Sequence, residues 1–125
     1  LGWCLPIIGL TSSNQIVSQN WNWTGAVSVV GPVLQLATWT HVVASYSSAN
    51  GVRLWVNGTL IGSSGPFSYF PSTVANTISL GNSPNGPSGC ATGSIAFGQF
   101  YGMLDELRVY SRELTAADVA TLASP

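Results

Sequence analysis

Val52-Arg53-Leu54-Trp55-Val56-Asn57-Gly58-Thr59-Leu60-Ile61-Gly62-Ser63 is the stretch on which the fold turns. Val52, Leu54 and Val56 alternate onto one face, the period of a strand. Asn57-Gly58 then supplies the two positive-φ residues of a type I′ turn, and Thr59 to Ile61 return, so the spacing predicts a β-hairpin. The run before it, residues 38–46, is rich in β-branched and aromatic residues and is joined to the hairpin by Ser47-Ser48-Ala49-Asn50-Gly51, a turn-forming composition. A three-stranded meander follows. Further strand patterns lie at residues 15–18, 26–30, 77–80 and 102–110, separated by Pro/Gly-rich loops at 65–73 and 82–93 that are the natural variable rim. One helix is expected, from Ala116 to Leu122. Thr115 is its N-cap, Asp118 stands three residues on, and Leu114 faces Val119 as a hydrophobic staple.

The 125 residues fit one domain with one core. Three arginines, no lysine and four acids give a net charge of -1, so no basic field is present to hold a phosphate backbone, and nucleic acid is excluded as a partner class. Charged residues make up 6% of the chain, against about 25% in an ordinary soluble domain. Glycans, hydroxyl-rich faces or burial in a larger assembly would each keep such a surface wet. The longest apolar stretch, residues 26–39, is interrupted by Ser28, Gly31, Pro32 and Gln35 and falls short of the roughly 18 apolar residues of a membrane span. The chain opens at Leu1 with no leader pattern, as a mature or internal segment of a longer exported protein would.

Cys4 and Cys90 stand far apart and belong to no Cys/His cluster, which argues against zinc. A disulfide, worth about 4 to 5 kcal/mol for so long a loop, is one reading; two buried thiols in a reducing compartment are the other. Two N-x-T sequons, at Asn22 and Asn57, tilt the balance toward an oxidising, extracellular setting.

The order Trp39-Thr40-His41-Val42-Val43, then 52–58, then Ile78-Ser79-Leu80-Gly81, then 101–110 and Arg112-Glu113-Leu114-Thr115 resembles the laminin-G-like domains of the concanavalin A-like lectin/glucanase superfamily. The resemblance covers about two thirds of the chain and implies an all-β, antiparallel two-sheet jelly-roll sandwich with one short C-terminal helix, a single domain over residues 1–125. It also implies strands ahead of Trp3, whose place at the sheet edge a neighbouring segment or a second subunit would take. Within it, Trp39 and His41 are expected to be structural residues, His41 as a packed or hydrogen-bonded residue of a strand. Asp105, sharing a face with Leu107 and Val109, is expected to point inward and pin the last strand by accepting backbone N–H groups or pairing with an arginine.

Glucanases of that superfamily carry alternating carboxylates on one strand, because retaining hydrolysis needs two carboxyl groups about 5 to 5.5 Å apart. The four acids here, Asp105, Glu106, Glu113 and Asp118, do not form such a strand, and no activated nucleophile accompanies His41. The chain therefore reads as non-enzymatic. Calcium needs six to eight oxygens and generally more than one carboxylate. Pentraxins, similar in the closing strand and helix, place acidic calcium ligands in the loop corresponding to residues 82–98, where this chain has no Asp or Glu. Asp105, Asn82 and Asn85 are the remaining weak candidates, and no other cofactor is implied.

A sugar site without metal needs aromatic faces and orienting amides. Trp21 and Trp23 around Asn22, Arg53 beside Trp55, and Phe67, Tyr69 and Phe70 in a rim loop are the candidates. The resemblance implies a secreted or cell-surface module for recognition or adhesion, binding glycan or an extracellular protein through its rim loops. The competing reading is a structural building block that self-associates through an open sheet edge and low-charge aromatic surfaces.

Overall fold

The structure is a computed structural model and describes residues 4–71, 74, 75, 77–82 and 93–124. Among the described residues, six strands and one helix follow in chain order: β1 (Ile8–Leu10), β2 (Gln15–Trp21), β3 (Ala26–Val33), β4 (Val42–Ser47), β5 (Gly51–Val56), β6 (Thr59–Ser63) and α1 (Ala116–Ala123). They form two antiparallel sheets, β1-β2-β3 and β4-β5-β6, each in sequence order. The hairpin forms as expected, with Asn57 at φ 48° and Gly58 at φ 81° and Val56 opposite Thr59. β1 carries no sequence pattern of its own and exists through its pairing with β2. Pro32 sits within β3, where the missing N–H is tolerated because β3 is an edge strand.

The sheets stack through Ile16 and Val29 from one and Val52 and Leu54 from the other. Burying each such side chain contributes roughly 1.5 to 3 kcal/mol. Close approach depends on Gly31, whose Cβ, if it had one, would stand 2.8 Å from Leu54 Cδ2 and 2.9 Å from Ile16 Cγ2. The outer face of the first sheet is held by Gln19, 1% exposed on β2. Its Nε2 donates to the Pro6 carbonyl at 2.8 Å, and its Oε1 accepts from Ser28 Oγ at 2.9 Å and from Ser94 N at 3.0 Å. One buried amide thus ties three segments of chain to β2.

The outer face of the second sheet is covered by α1. Trp55, Leu114 and Val119 make a second core, flanked by Val43 and Leu122. The capping box is complete: Thr115 Oγ1 accepts from Asp118 N at 3.2 Å, and Asp118 Oδ2 accepts from Thr115 N at 2.8 Å. Leu114 and Val119, the expected staple, meet in that core.

Three expectations are corrected. Residues 77–80 and 102–110 do not join either sheet; strands form by pairing, and these runs have no ladder partner among the described residues. Leu107 and Val109, read as core-facing, are 61% and 72% exposed in consequence. Trp39, read as a structural residue of a strand over 38–46, is 64% exposed and lies ahead of β4, which begins only at Val42.

Candidate functional site

Two of the expected aromatic groups are brought together. The turn between β2 and β3 presents Trp23, and residues 65–70 run back across the same end of the sandwich, so that the Trp23 and Phe70 rings lie with centroids 3.6 Å apart at 34°. Trp23 remains 75% exposed and Tyr69, the next residue along from Phe70, 41%. Trp21 is half-buried at the end of β2, and its carbonyl accepts from Phe70 N at 3.1 Å. The turn is built by Asn22, whose Oδ1 accepts from Thr24 N, Thr24 Oγ1 and Gly25 N at 2.8, 2.9 and 3.0 Å, an Asx-type turn.

The second anchor is Tyr46 on β4. Its hydroxyl donates to the Phe67 carbonyl at 2.7 Å and accepts from Tyr69 N at 2.6 Å, and its ring packs against those of Phe67 and Tyr69. Phe67 is half-buried against the main core and serves packing. The rim carries no ionisable acid or base: every Asp, Glu and Arg of the chain other than Arg53 lies within residues 105–118. A face of exposed aromatic rings with backbone and amide groups beside it can stack on the C–H face of a neutral sugar.

Arg53 and Trp55 are corrected as ligand candidates. They share the outer face of the second sheet, where Trp55 is 4% exposed beneath α1 and donates from Nε1 to Ser45 Oγ at 3.0 Å. Arg53 lies 3.9 Å from Glu113, whose carboxylate accepts from Asn50 Nδ2 at 2.9 and 3.2 Å. That cluster ties the β4–β5 turn to the segment before α1.

Asp105 is also corrected. Expected to point inward, it is exposed; it does accept a backbone N–H, from Glu106 at 2.8 Å, and has no arginine partner among the described residues. The remaining acids are engaged elsewhere: Glu106 with Arg108 at 2.8 Å, Asp118 with Arg112 at 2.7 Å. The Arg112 guanidinium and the Thr115 groups hold the Asp118 carboxyl well below the usual carboxylate range. His41 exchanges two hydrogen bonds with Asn57, donating from its backbone N to Asn57 Oδ1 at 3.0 Å and accepting from Asn57 N at 2.8 Å. This is a structural use of both residues. No group of three or more His, Cys, Asp or Glu side chains is gathered among the described residues. Asn82 is exposed and Asn85 lies outside the described residues. Cys4 is in the bonded state and no described cysteine is free, while Cys90, its expected partner, lies outside the described residues.

A cleft of about 180 Å³ between Tyr110, Arg112, Leu114, Asp118, Thr121 and Leu122 is below the range of roughly 300 to 1,000 Å³ typical of ligand pockets. Its charged groups are already paired with each other. No described helix is long and apolar enough to cross a membrane.

Comparison with known proteins agrees with this architecture. No curated protein matches the chain. Among solved structures it is similar to an S-layer domain-containing protein from Clostridium thermocellum, with a TM-score of 0.59 and 24% identity over 88% of this chain. The chain spans 51%, about half, of that protein's structure, and at such identity the likeness concerns the fold. The Laminin_G_3 family model, of the concanavalin A-like lectin/glucanases superfamily, matches residues 6–120. With that model covering nearly its whole length, and two antiparallel sheets closed by a capped helix, the chain belongs to the laminin-G-like family.

Proposed function

We propose that this domain is a non-catalytic extracellular recognition module that binds neutral glycan through the rim formed by Trp23, Phe70 and Tyr69. The observation that carries the reading is the Trp23–Phe70 contact, which fixes an exposed indole at the end of a rigid sandwich. Preorganised aromatics lose little conformational entropy on binding. The uncharged sequence of both rim segments favours a neutral ligand over a sulphated or acidic one. An extracellular or cell-surface location fits the family and the S-layer domain-containing protein to which the fold is similar. A Cys4–Cys90 disulfide and glycans on Asn22 and Asn57 belong to the same proposal; intact-mass measurement before and after reduction and deglycosylation tests them.

The test of binding is an array of neutral and sulphated glycans probed with the isolated domain after enzymatic deglycosylation, since a glycan on Asn22 would cover Trp23. Binding to neutral sugars that is lost in Trp23→Ala supports the reading. No binding to any sugar contradicts it.

A second reading, assembly with further copies, is favoured by a separate observation. Exposed apolar side chains concentrate in residues 97–110, among them Met103 at 75% and Val109 at 72%.

A further inference from the structure

The Asn22 carboxamide is used by the fold from one end. Its Oδ1 accepts from Thr24 N, Thr24 Oγ1 and Gly25 N at 2.8, 2.9 and 3.0 Å, and those three bonds build the turn. Its Nδ2 donates to no described group, and it is not one of the enclosed side-chain atoms without a partner, which are Ser18 Oγ, His41 Nδ1 and Arg53 Nε. That nitrogen therefore opens to solvent. Asn22-Trp23-Thr24 is an N-x-T sequon, the acceptor pattern for N-linked glycan. The atom that would carry the sugar is the one the turn does not use.

The adjacent ring limits what can share the rim with such a sugar. Phe70 lies on Trp23 with ring centroids 3.6 Å apart at 34°, so one face of the indole is taken. A single face is left to stack on a sugar, and Trp23 is 75% exposed. A sugar on Asn22 Nδ2 is joined to the residue next to that face. Tethering over so short a link gives an effective concentration on the order of millimolar. A free glycan must displace the tethered one to reach the ring.

We propose that Asn22 is a modification site that regulates the rim: a glycan on its Nδ2 stacks on the free face of Trp23 and excludes external glycan, and its removal opens the site. The proposal rests on the reading of the rim as a glycan site. Attachment requires a glycosyl diphosphate donor and a transferase. The Nδ2–C1 bond forms as the donor's C1–O bond breaks, the diphosphate leaves with the bonding pair, and Nδ2 gives up one proton. Removal by an amidase is a hydrolysis, in which water adds at Cγ, the Cγ–Nδ2 bond breaks and the glycan departs as its glycosylamine. The aspartate left behind has a carboxylate oxygen that accepts the same three bonds, so the rim is uncovered with its turn intact.

The test uses the 125-residue chain carrying Asn57→Asp, secreted from a host that glycosylates N-x-T sequons. Asn22 is then the one sequon in the sequence. Peptide mass mapping and a neutral-glycan array are read before and after amidase treatment, with Asn22→Asp in the same background as a form that never carried a glycan. Asn22 is expected to be occupied, and the glycosylated chain to bind about tenfold more weakly, or less still, than the treated chain and Asn22→Asp. Nuclear Overhauser contacts between the first sugar and the Trp23 indole are expected in the glycosylated chain. A bare Asn22 overturns the modification site, and missing sugar–indole contacts overturn the stacking. Equal binding before and after treatment overturns the regulation and leaves rim recognition standing. No binding in any of the three forms overturns rim recognition, and this proposal with it.

Discussion

The hydroxyl of Tyr46 on β4 donates to the carbonyl of Phe67 at 2.7 Å and accepts from Tyr69 N at 2.6 Å. One phenol thereby clamps the loop that carries Tyr69 and Phe70 to the sheet. Tyr46→Phe keeps the ring packing and removes both bonds. The expected cost in stability is modest, about 0.5 to 1.5 kcal/mol, since the freed backbone groups are within reach of water. Glycan affinity should fall more than that change suggests, because Phe70 is no longer held against Trp23. Paired chemical denaturation and glycan titration separate the two effects.

Gly31 sets the spacing of the sheets. Gly31→Ala would thrust a methyl group to 2.8 Å from Leu54 Cδ2 and 2.9 Å from Ile16 Cγ2, and both neighbours are locked in the core. Overpacking of this kind costs about 1 to 3 kcal/mol. A urea midpoint unchanged in Gly31→Ala would mean that the sheets are not in this close contact.

Trp55 is a core residue, so its replacement should act on stability and leave recognition alone. Trp55→Ala is expected to lose roughly 3 to 5 kcal/mol, by opening a cavity under α1 and freeing Ser45 Oγ. Trp55→Phe, which loses the bond to Ser45 and some area, should fall between. Fluorescence provides a second check: Trp55 should resist quenching by acrylamide, and Trp23 should be quenched readily.

The cap of α1 should make stability depend on pH. The Asp118 carboxyl is held below its ordinary value by Arg112, then by the Thr115 backbone N–H and side chain. A carboxyl lowered in the folded state contributes stability above its unfolded value, roughly 3.9, and that contribution drains away as pH falls through the folded value. Thermal melts of the wild type and Asp118→Asn should therefore differ at pH 5 to 7 and converge as the pH drops below about 4. Thr115→Ala should cost about 1 kcal/mol, measured at pH 7.

What could be read from the sequence was the local part. Asn57-Gly58 specifies its own turn and Thr115 with Asp118 its own cap, because the residues that decide each are neighbours in the chain. Alternation correctly separated Trp55 from Val52 and Leu54, but it says nothing of what lies on the far face. α1 covers that face, so the indole is core rather than surface. Asp105, Leu107 and Val109 failed for the converse reason: the inward pattern was present, and burial needs a partner strand that the pattern does not supply. The rim was half legible. Trp23 and Phe70 were each candidates, but their contact is long-range and depends on the Tyr46 hydroxyl, which nothing local announces.

The most direct test of rim recognition is an NMR titration of the deglycosylated domain with the neutral oligosaccharide that gives the strongest array signal, observing the five tryptophan indole N–H resonances. The Trp23 indole is expected to shift or broaden on titration and the buried Trp55 indole to stay in place. Shifts at Trp39 or Trp55 with none at Trp23, or no shift at any indole, would contradict the account.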